Sequence, residues 1–304
     1  MLGWIRHYRL LGTEAEVGYF RAMRMPELVA RLYPNAIGVD LDAMADLMGI
    51  VGLLNDQIDS PACSRAAAAT EICHDLLSFY DGSGVASATS YGRAWRELWS
   101  RLTKDMSEAW QAHVRRLVRE FFATYLRRID RSAGVPSVAQ YMETRKITAF
   151  VEPMLLFGER VGHFELPNRV RQVPVLRDLL AQTEMLMYLP NDVHAVEREE
   201  QRGEVNNMLL VLERANACSR TRAIEHIRTM VRQASERFLE LESQIPAMCE
   251  KLRLDAAETS AVAKHVQDMR YMIGGVYEWA RGRPARYAPE AAALAVACGY
   301  QDPS

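Results

Sequence analysis

The sequence lacks a long apolar run, a dense set of cysteines and any extended alternation of apolar and polar residues. No apolar stretch approaches the roughly 18 residues of a membrane-spanning helix, so we predict no membrane span. The opening residues MLGWIRHYRLLG lack the apolar centre of a signal peptide, and we therefore expect a cytoplasmic location. The five cysteines form no CxxC pair, which is typical of reduced thiols rather than of a disulfide framework or a zinc site.

The sequence also has little net charge. Lys and Arg number 37 and Asp and Glu 39, which gives a net charge of −2 at pH 7. Such a balance produces no overall field that would attract nucleic acid, so we expect no nucleic-acid partner. Hydrophobic residues make up 49% of the 304 residues, enough for one large core. We therefore predict a single domain over residues 1–304.

Apolar residues recur every three or four positions, as in Leu47, Ile50, Val51 and Leu54, and this spacing predicts amphipathic helices. Glycine and proline divide the chain into about ten of them. The predicted breaks are Tyr33-Pro34, Asp81-Gly82-Ser83-Gly84, Ser132-Ala133-Gly134-Val135-Pro136, Leu166-Pro167 and Gly282-Arg283-Pro284. We predict an all-α bundle that encloses an apolar cavity with polar groups gathered at one mouth.

The first polar cluster is Asn55-Asp56-Gln57-Ile58-Asp59, at the end of an apolar helix. Residues 55 and 59 are four positions apart and residues 56 and 59 three, so these side chains share one face. Crowded carboxylates repel one another unless a divalent cation or a basic side chain neutralises them. They are also unfavourable at the negative end of the helix dipole. Spacing alone leaves two interpretations open, a metal site and a solvated helix end.

The second polar cluster runs from Asn191 to Glu199. Asn191, Ala195 and Glu199 lie at positions i, i+4 and i+8, and therefore form one stripe along a helix. Asn191 and Glu199 could offer two oxygens to a hard cation such as Mg²⁺. Arg198, seven residues after Asn191, projects near the same mouth, whereas His194 lies on the flank and receives no role.

These clusters resemble two metal motifs of the bacterial class I terpene synthases. LLNDQIDS is similar to that family's aspartate-rich motif, and NDVHAVEREEQRGEVNN to its Asn/Glu motif. YMETRKIT resembles the diphosphate-sensing segment, with Arg145 placed 46 residues before Asn191. WARGRPARY resembles the C-terminal Arg-Tyr pair at residues 286 and 287. The resemblance covers about residues 4–287, with the four landmarks in order.

The resemblance implies a single-domain class I terpene synthase-like helical bundle. It implies a lyase that uses Mg²⁺, three ions in all, to ionise an allylic isoprenyl diphosphate. The carbocation then cyclises and ends by deprotonation or water capture. It also implies that residues 288–304 form a lid and that a homodimer is possible.

Roles follow residue by residue from the same resemblance. The implied metal ligands are Asn55, Asp56, Asp59, Asn191 and Glu199. The implied catalytic residues are Asp56, Arg145, Arg286 and Tyr287. The implied diphosphate-binding residues are Arg145, Arg198, Arg286 and Tyr287. From their positions in the chain we add Trp279, Phe150 and Gly52 as substrate-binding residues that line the pocket.

The sequence departs from the family pattern at three places. Asn55 stands where the family usually has Asp, which lowers the expected metal affinity, and Ala195 stands where it has Ser. Gly49 and Gly52 stand where aromatic residues often face the pocket. We interpret the two glycines as room for a C20 substrate in preference to C15, with close helix packing as an equal alternative.

Two other functions stay open on the sequence. A chain-elongating prenyltransferase has a related fold but normally carries two aspartate-rich motifs. A non-catalytic helical protein that binds isoprenyl diphosphates is the second, because Asn55 and Ala195 weaken the metal motifs.

Overall fold

The computed structural model describes residues 1–58, 63–81, 88–129, 135–201 and 203–282. Within these ranges the chain forms fifteen α-helices and no strand, which agrees with the predicted all-α fold. The helices are α1 (Leu2–His7), α2 (Glu14–Ala22), α3 (Met25–Leu32), α4 (Gly38–Ile58), α5 (Cys63–Tyr80), α6 (Ser90–Leu102), α7 (Glu108–Ile129), α8 (Val138–Thr148), α9 (Val151–Val161), α10 (Asn168–Arg171), α11 (Pro174–Gln201), α12 (Met208–Ala215), α13 (Arg220–Ser243), α14 (Ile245–Lys251) and α15 (Ala256–Arg281).

Side chains that satisfy free backbone N–H groups mark several helix starts. Thr13 accepts a hydrogen bond from the backbone of Glu16, and the Glu16 carboxylate accepts one from the backbone of Thr13. The same reciprocal pattern begins α8 at Ser137 and α15 at Asp255. These capping boxes fix the start of each helix because they pair donors that no helical carbonyl can reach.

The sequence-based count of about ten helices is too low because some breaks occur at a residue that is neither glycine nor proline, although a proline follows in the first turn of the next helix. Arg24 separates α2 from α3 with φ 55°, and Phe150 separates α8 from α9 with φ 60°. Left-handed backbone is uncommon for residues with a side chain and gives no signal in the sequence. The break at Phe150 places the last residues of α8 and the first residues of α9 beside the cavity described below.

The helices pack around one large apolar core. Helix α11 packs against α13 and α15, α15 against α3, and α5 against α7. Large side chains such as Trp95, Phe121, Phe122 and Phe157 are fully buried within it. A smaller cluster joins α12 to α8, α11 and α13. The two polar motifs of the sequence lie on α4 and α11.

Substitutions at two adjacent glycines near the end of α15 would show how closely α15 packs on α3. A Cβ atom at Gly275 would lie 3.0 Å from the backbone carbon of Arg31, whereas one at Gly274 would meet nothing within 4 Å. We expect Gly274→Ala to raise the free energy of unfolding by up to about 1 kcal/mol, because alanine favours the helix. Overpacking costs about 1–3 kcal/mol, so Gly275→Ala should lower it despite the same gain in helix propensity. Urea denaturation of both variants measures the difference, and equal stabilities would contradict this packing.

No helix in the described ranges is long and apolar enough to cross a membrane. Asp59, Arg286, Tyr287 and the predicted lid at residues 288–304 lie outside the described residues. The single-domain boundary at 1–304 therefore stays a prediction.

Candidate active site

The two polar motifs meet at the mouth of one cavity of about 160 Å³. Asn55 of α4 lines this cavity together with Asn191, Arg198 and Glu199 of α11 and Arg145 of α8. Helices α4 and α11 are far apart in the sequence, and the fold brings their oxygen-bearing side chains to one place.

Arg198 connects the two motifs directly. Its Nη1 atom lies 3.4 Å from Oδ1 of Asp56, and its Nη2 atom lies 3.6 Å from Oε1 of Glu199. Arg198 is 5% exposed, so water screens these pairs only weakly. The guanidinium thus lies between the carboxylates of α4 and α11, close to where the sequence placed it.

Arg145 is held by a buried carboxylate that the sequence analysis gave no role. Its Nη2 atom donates to Oδ1 of Asp192 at 2.8 Å and to Oδ1 of Asn191 at 3.2 Å. Asp192 is 0% exposed and also accepts from the Tyr141 hydroxyl and, at 2.7 Å, from the backbone N–H of Met208. Because its partners occupy it, Asp192 orients Arg145 and the start of α12 rather than lining the cavity.

The protonation of this cluster follows from its charges. Burial raises the pKa of Tyr141 well above its usual value, and Asp192 raises it further. The phenol therefore stays protonated and donates a hydrogen bond to Asp192. Burial lowers the pKa of Arg145, but nearby negative charges, Asp192 above all, raise it by more. The net effect is a raised pKa for Arg145. Tyr141 lies four residues before Arg145 on the same helix, and this spacing is the signal in the sequence that the two side chains share one face.

Glu199 has a second partner in Asn207. The Nδ2 atom of Asn207 donates to Oε2 of Glu199 and to the backbone oxygen of Asp192, both at 2.8 Å. Its Oδ1 atom caps α12 by accepting from the N–H of Leu209 at 2.9 Å. Burial raises the pKa of Glu199 to about 7, and Asp192 contributes to the rise. Such a carboxyl gains from a nearby cation, which stabilises its ionised form.

Two tyrosines orient the motif on α4. The Tyr125 hydroxyl donates to Oδ1 of Asn55 at 2.8 Å, and the Tyr19 hydroxyl donates to Oδ2 of Asp56 at 3.3 Å. Tyr125 is fully buried on α7 and so provides a rigid support. Neither tyrosine stands out in the sequence, because each comes from a helix remote from α4.

The cavity wall is apolar and carries aromatic rings. Phe150, Trp279 and Gly52, which the sequence analysis named, line it together with Tyr188. Phe150 packs on Phe121 with ring centroids 4.4 Å apart, which fixes its ring at the break between α8 and α9. The indole N–H of Trp279 donates to the backbone oxygen of Arg24 at 3.3 Å.

The interpretation of Gly49 as extra room in the pocket is wrong. A Cβ atom at Gly49 would lie 3.1 Å from Cδ1 of Ile5 and 3.3 Å from Cγ of Met1. Gly49 therefore allows α1 to pack closely on α4, which was the alternative interpretation. Gly52 alone of the two glycines lines the cavity.

The side chains at the mouth fit a hard divalent cation in their chemistry. Asn55, Asp56, Asn191 and Glu199 supply only oxygen donors, the type that Mg²⁺ prefers. In the described part of the chain, no three His, Cys, Asp or Glu side chains lie close enough to hold a metal ion by themselves. The Nε–H of Arg145 is buried and makes no hydrogen bond to any described residue, so it is a donor available to an anion at the mouth.

Comparison with known proteins agrees with this geometry. Residues 46–237 match the family model described as terpene synthase family 2, C-terminal metal binding. Pentalenene synthase of Streptomyces arenae is 34% identical over 98% of this chain and 90% of its own length. A 7-epi-alpha-eudesmol synthase of Streptomyces viridochromogenes, described as (2E,6E)-farnesyl diphosphate cyclizing, is 30% identical over 92% of this chain and 83% of its own.

The fold also matches solved structures. Germacradien-4-ol synthase from Streptomyces citricolor superposes with a TM-score of 0.83 and 28% identity, over 92% of this chain and 91% of that one. The matched family model names metal binding, so a divalent metal belongs to the chemistry of this fold. The motifs on α4 and α11, the cavity between them and these matches lead to one conclusion: the chain belongs to the bacterial class I terpene synthases, enzymes of the lyase class that act on isoprenyl diphosphates.

Proposed function

We propose that this enzyme is a sesquiterpene synthase that cyclises farnesyl diphosphate. The S. viridochromogenes relative supports a C15 substrate, because its description names farnesyl diphosphate. The preference for a C20 substrate drawn from the sequence is not supported, since Gly49 faces α1 instead of the cavity. One observation carries the proposal: Arg198 joins the carboxylates of α4 and α11 at the mouth of an apolar, ring-lined cavity.

We assign the oxygen donors at the mouth to Mg²⁺, with three ions in all. Asn191 and Glu199 hold one ion, and Asn55, Asp56 and Asp59 hold the other two. Bound Mg²⁺ supplies positive charge that stabilises the diphosphate as it leaves. The hydrogen bonds from Tyr125, Tyr19 and Asn207 hold three of these donors in place before substrate arrives.

The arginines take the remaining charge of the diphosphate. Arg145 is already oriented by Asp192 and has a buried N–H available, so it binds diphosphate with little loss of entropy. Arg198 exchanges Asp56 and Glu199 for diphosphate oxygens, because those carboxylates are the assigned metal ligands. Guanidinium groups suit this task because they are always charged and bind phosphate bidentately. The resemblance to the family adds Arg286 and Tyr287 to the residues that we propose to bind the diphosphate.

The cavity wall then guides the carbocation. Phe150, Trp279 and Tyr188 offer ring faces that stabilise a nearby cation by about 0.5–2 kcal/mol each. The apolar part of the wall also keeps water from ending the reaction early. Gly52 leaves space beside Asn55 for the first isoprene unit, which must lie next to the diphosphate.

Incubation with C10, C15, C20 and C25 isoprenyl diphosphates and Mg²⁺, followed by gas chromatography, tests the proposal. We expect a cyclic C15 product with release of diphosphate, and kcat/KM highest for farnesyl diphosphate. Each substrate is also tested with isopentenyl diphosphate. Products that form only with isopentenyl diphosphate would indicate chain elongation, and tight binding without diphosphate release would indicate a non-catalytic protein.

Asn55 gives a further test of the metal assignment. Replacing Asn55 by Asp adds a negative charge where a cation is proposed to bind, so the Mg²⁺ concentration for half-maximal activity should fall about tenfold. Tyr125 can donate equally well to the new carboxylate, and the side chain keeps its orientation. A Mg²⁺ titration of diphosphate release measures this shift. An unchanged Mg²⁺ dependence would remove Asn55 from the metal ligands.

The cytoplasmic location and the homodimer expected from the sequence stay predictions. Size-exclusion chromatography with light scattering measures the oligomeric state.

A further inference from the structure

The cavity between α4 and α11 is small for the chain that we propose it to hold. Its volume is about 160 Å³. An apolar cavity of about 150 Å³ accommodates a molecule of the size of benzene, which has six carbon atoms. A farnesyl chain has fifteen carbon atoms. Part of the cavity wall therefore has to move before such a chain can fold inside.

The aromatic rings of the wall are the part that is held in place. Phe150 packs on Phe121, and the indole N–H of Trp279 donates to a backbone oxygen. The Tyr188 hydroxyl donates to Sδ of Met142 at 3.4 Å. Each ring thus has a partner that fixes its orientation, and the space for the chain has to come from other side chains.

Four methionines can provide that space. Met25, Met48, Met154 and Met187 line the cavity, one each from α3, α4, α9 and α11. Methionine is unbranched and has three rotatable bonds, so it fits itself to an irregular neighbour more easily than other apolar side chains. The rest of the apolar lining consists of leucine, valine, alanine, glycine and the aromatic rings. The methionines are therefore its adjustable part.

Helix spacing places two of these methionines below the proposed metal ligands. Met48 precedes Asn55 by seven residues on α4, and Met187 precedes Asn191 by four residues on α11. Both spacings keep the side chains on one face of their helix. At roughly 1.5 Å per residue, Met48 lies about 10 Å from Asn55 along α4 and Met187 about 6 Å from Asn191 along α11. A chain held at the mouth by its diphosphate extends past Met187 towards Met48.

We propose that Met25, Met48, Met154 and Met187 reshape the cavity around the isoprenyl chain and determine which chain lengths the enzyme accepts. The inference rests on the proposed function, because it takes an isoprenyl diphosphate as the substrate. It adds the residues that select among such substrates, which the charged groups at the mouth do not distinguish.

Met48→Ala gives the first test, and Met44→Ala is its matched control. Met44 lies one turn earlier on α4, is 1% exposed and does not line the cavity. Loss of the Met48 side chain deepens the cavity, so the ratio of kcat/KM for the C20 diphosphate to kcat/KM for the C15 diphosphate should rise about tenfold or more. Met44→Ala should leave this ratio unchanged. Both rates are measured on one preparation, so the fraction of folded enzyme cancels from the ratio.

Met48→Leu is a second variant that preserves the fold more safely, because leucine has a similar volume. Its branched side chain adapts less well, so KM for farnesyl diphosphate should rise about tenfold while the melting temperature stays close to that of the unaltered protein. Met44→Leu should leave KM unchanged.

Methyl NMR of protein labelled with ¹³C at the methionine methyl groups tests the same contacts without catalysis. The probe is farnesyl S-thiolodiphosphate, an unreactive analogue, together with Mg²⁺. The resonances are assigned from the Met→Leu variant at each position. We expect the resonances of Met25, Met48, Met154 and Met187 to shift as the analogue is added, and the resonance of Met44 to stay in place.

Two results would overturn the inference. The first is that these four resonances do not move with up to about 1 mM analogue. The second is a ratio of C20 to C15 kcat/KM that is the same in Met48→Ala and Met44→Ala. If the resonances shift but no cyclic product forms, the role of the methionines holds and the proposed cyclisation fails. If a cyclic C15 product forms while the resonances stay in place, only the role of the methionines fails.

Discussion

Replacing Arg145 by Met should reduce kcat/KM for farnesyl diphosphate by about 10²–10³-fold, because it removes a preoriented charge from the departing diphosphate. It should also lower the free energy of unfolding by about 3–5 kcal/mol, because Asp192 is fully buried and would lose its ion pair. Diphosphate release and urea denaturation measure the two effects. Lys146→Met is the matched control, since Lys146 is exposed next to Arg145 and should change stability by less than about 0.5 kcal/mol.

A double variant separates the two roles of Arg145. Arg145→Met combined with Asp192→Asn removes both charges, and amide Oδ1 can still accept from Tyr141 or from the N–H of Met208. We expect stability to recover in part, because no unpaired charge stays buried, while activity stays low. Recovery of activity together with stability would show that Arg145 acts only through the fold.

The sequence identified residues that lie at the mouth of the cavity, but not the residues that hold them in position. Asn55, Asn191 and Glu199 could be found because each belongs to a motif whose spacing along one helix is visible in the chain. Tyr125 and Tyr19 could not, because each reaches α4 from a different helix and has no local pattern that marks it. Contacts within a helix can be inferred from spacing, whereas contacts between helices depend on packing angles that spacing does not determine.

Helix α4 shows a second limit of the sequence. It packs against α1, α3, α5, α6, α7 and α9, so apolar residues surround it on nearly all sides. Periodicity identifies a helix of this kind but does not say which side faces a cavity. Gly49 and Gly52 are only three positions apart, yet the first contacts α1 and the second lines the cavity. The preference for a C20 substrate, which is not supported, came from treating both as one wall.

The break at Phe150 is a third case. The sequence from Arg145 to Glu152 contains no glycine, and proline follows only at position 153. It reads as one continuous helix, but Phe150 adopts a left-handed backbone and ends it. Phe150 packs on Phe121, and this contact between α7 and the break becomes visible only in the folded chain.

Glu199→Gln should lower kcat/KM for farnesyl diphosphate by about 10²–10³-fold, since it neutralises the one carboxylate that α11 is proposed to offer to the metal. The change keeps the size of the side chain, and the amide oxygen can still accept from Asn207. The loss therefore reports charge rather than shape. Diphosphate release at increasing Mg²⁺ should show that excess metal restores part of the activity, because a weaker site fills at higher concentration.

Glu197→Gln is the matched control for this test. Glu197 lies two residues before Glu199 on α11 but is exposed, whereas Glu199 contacts Arg198 and Asn207 at the mouth. Both variants remove one negative charge from the same helix, so any general effect of net charge is equal in the two. If Glu197→Gln lost as much activity as Glu199→Gln, the effect would come from the helix as a whole. Only a loss confined to Glu199 assigns the metal to the mouth where α4 and α11 meet.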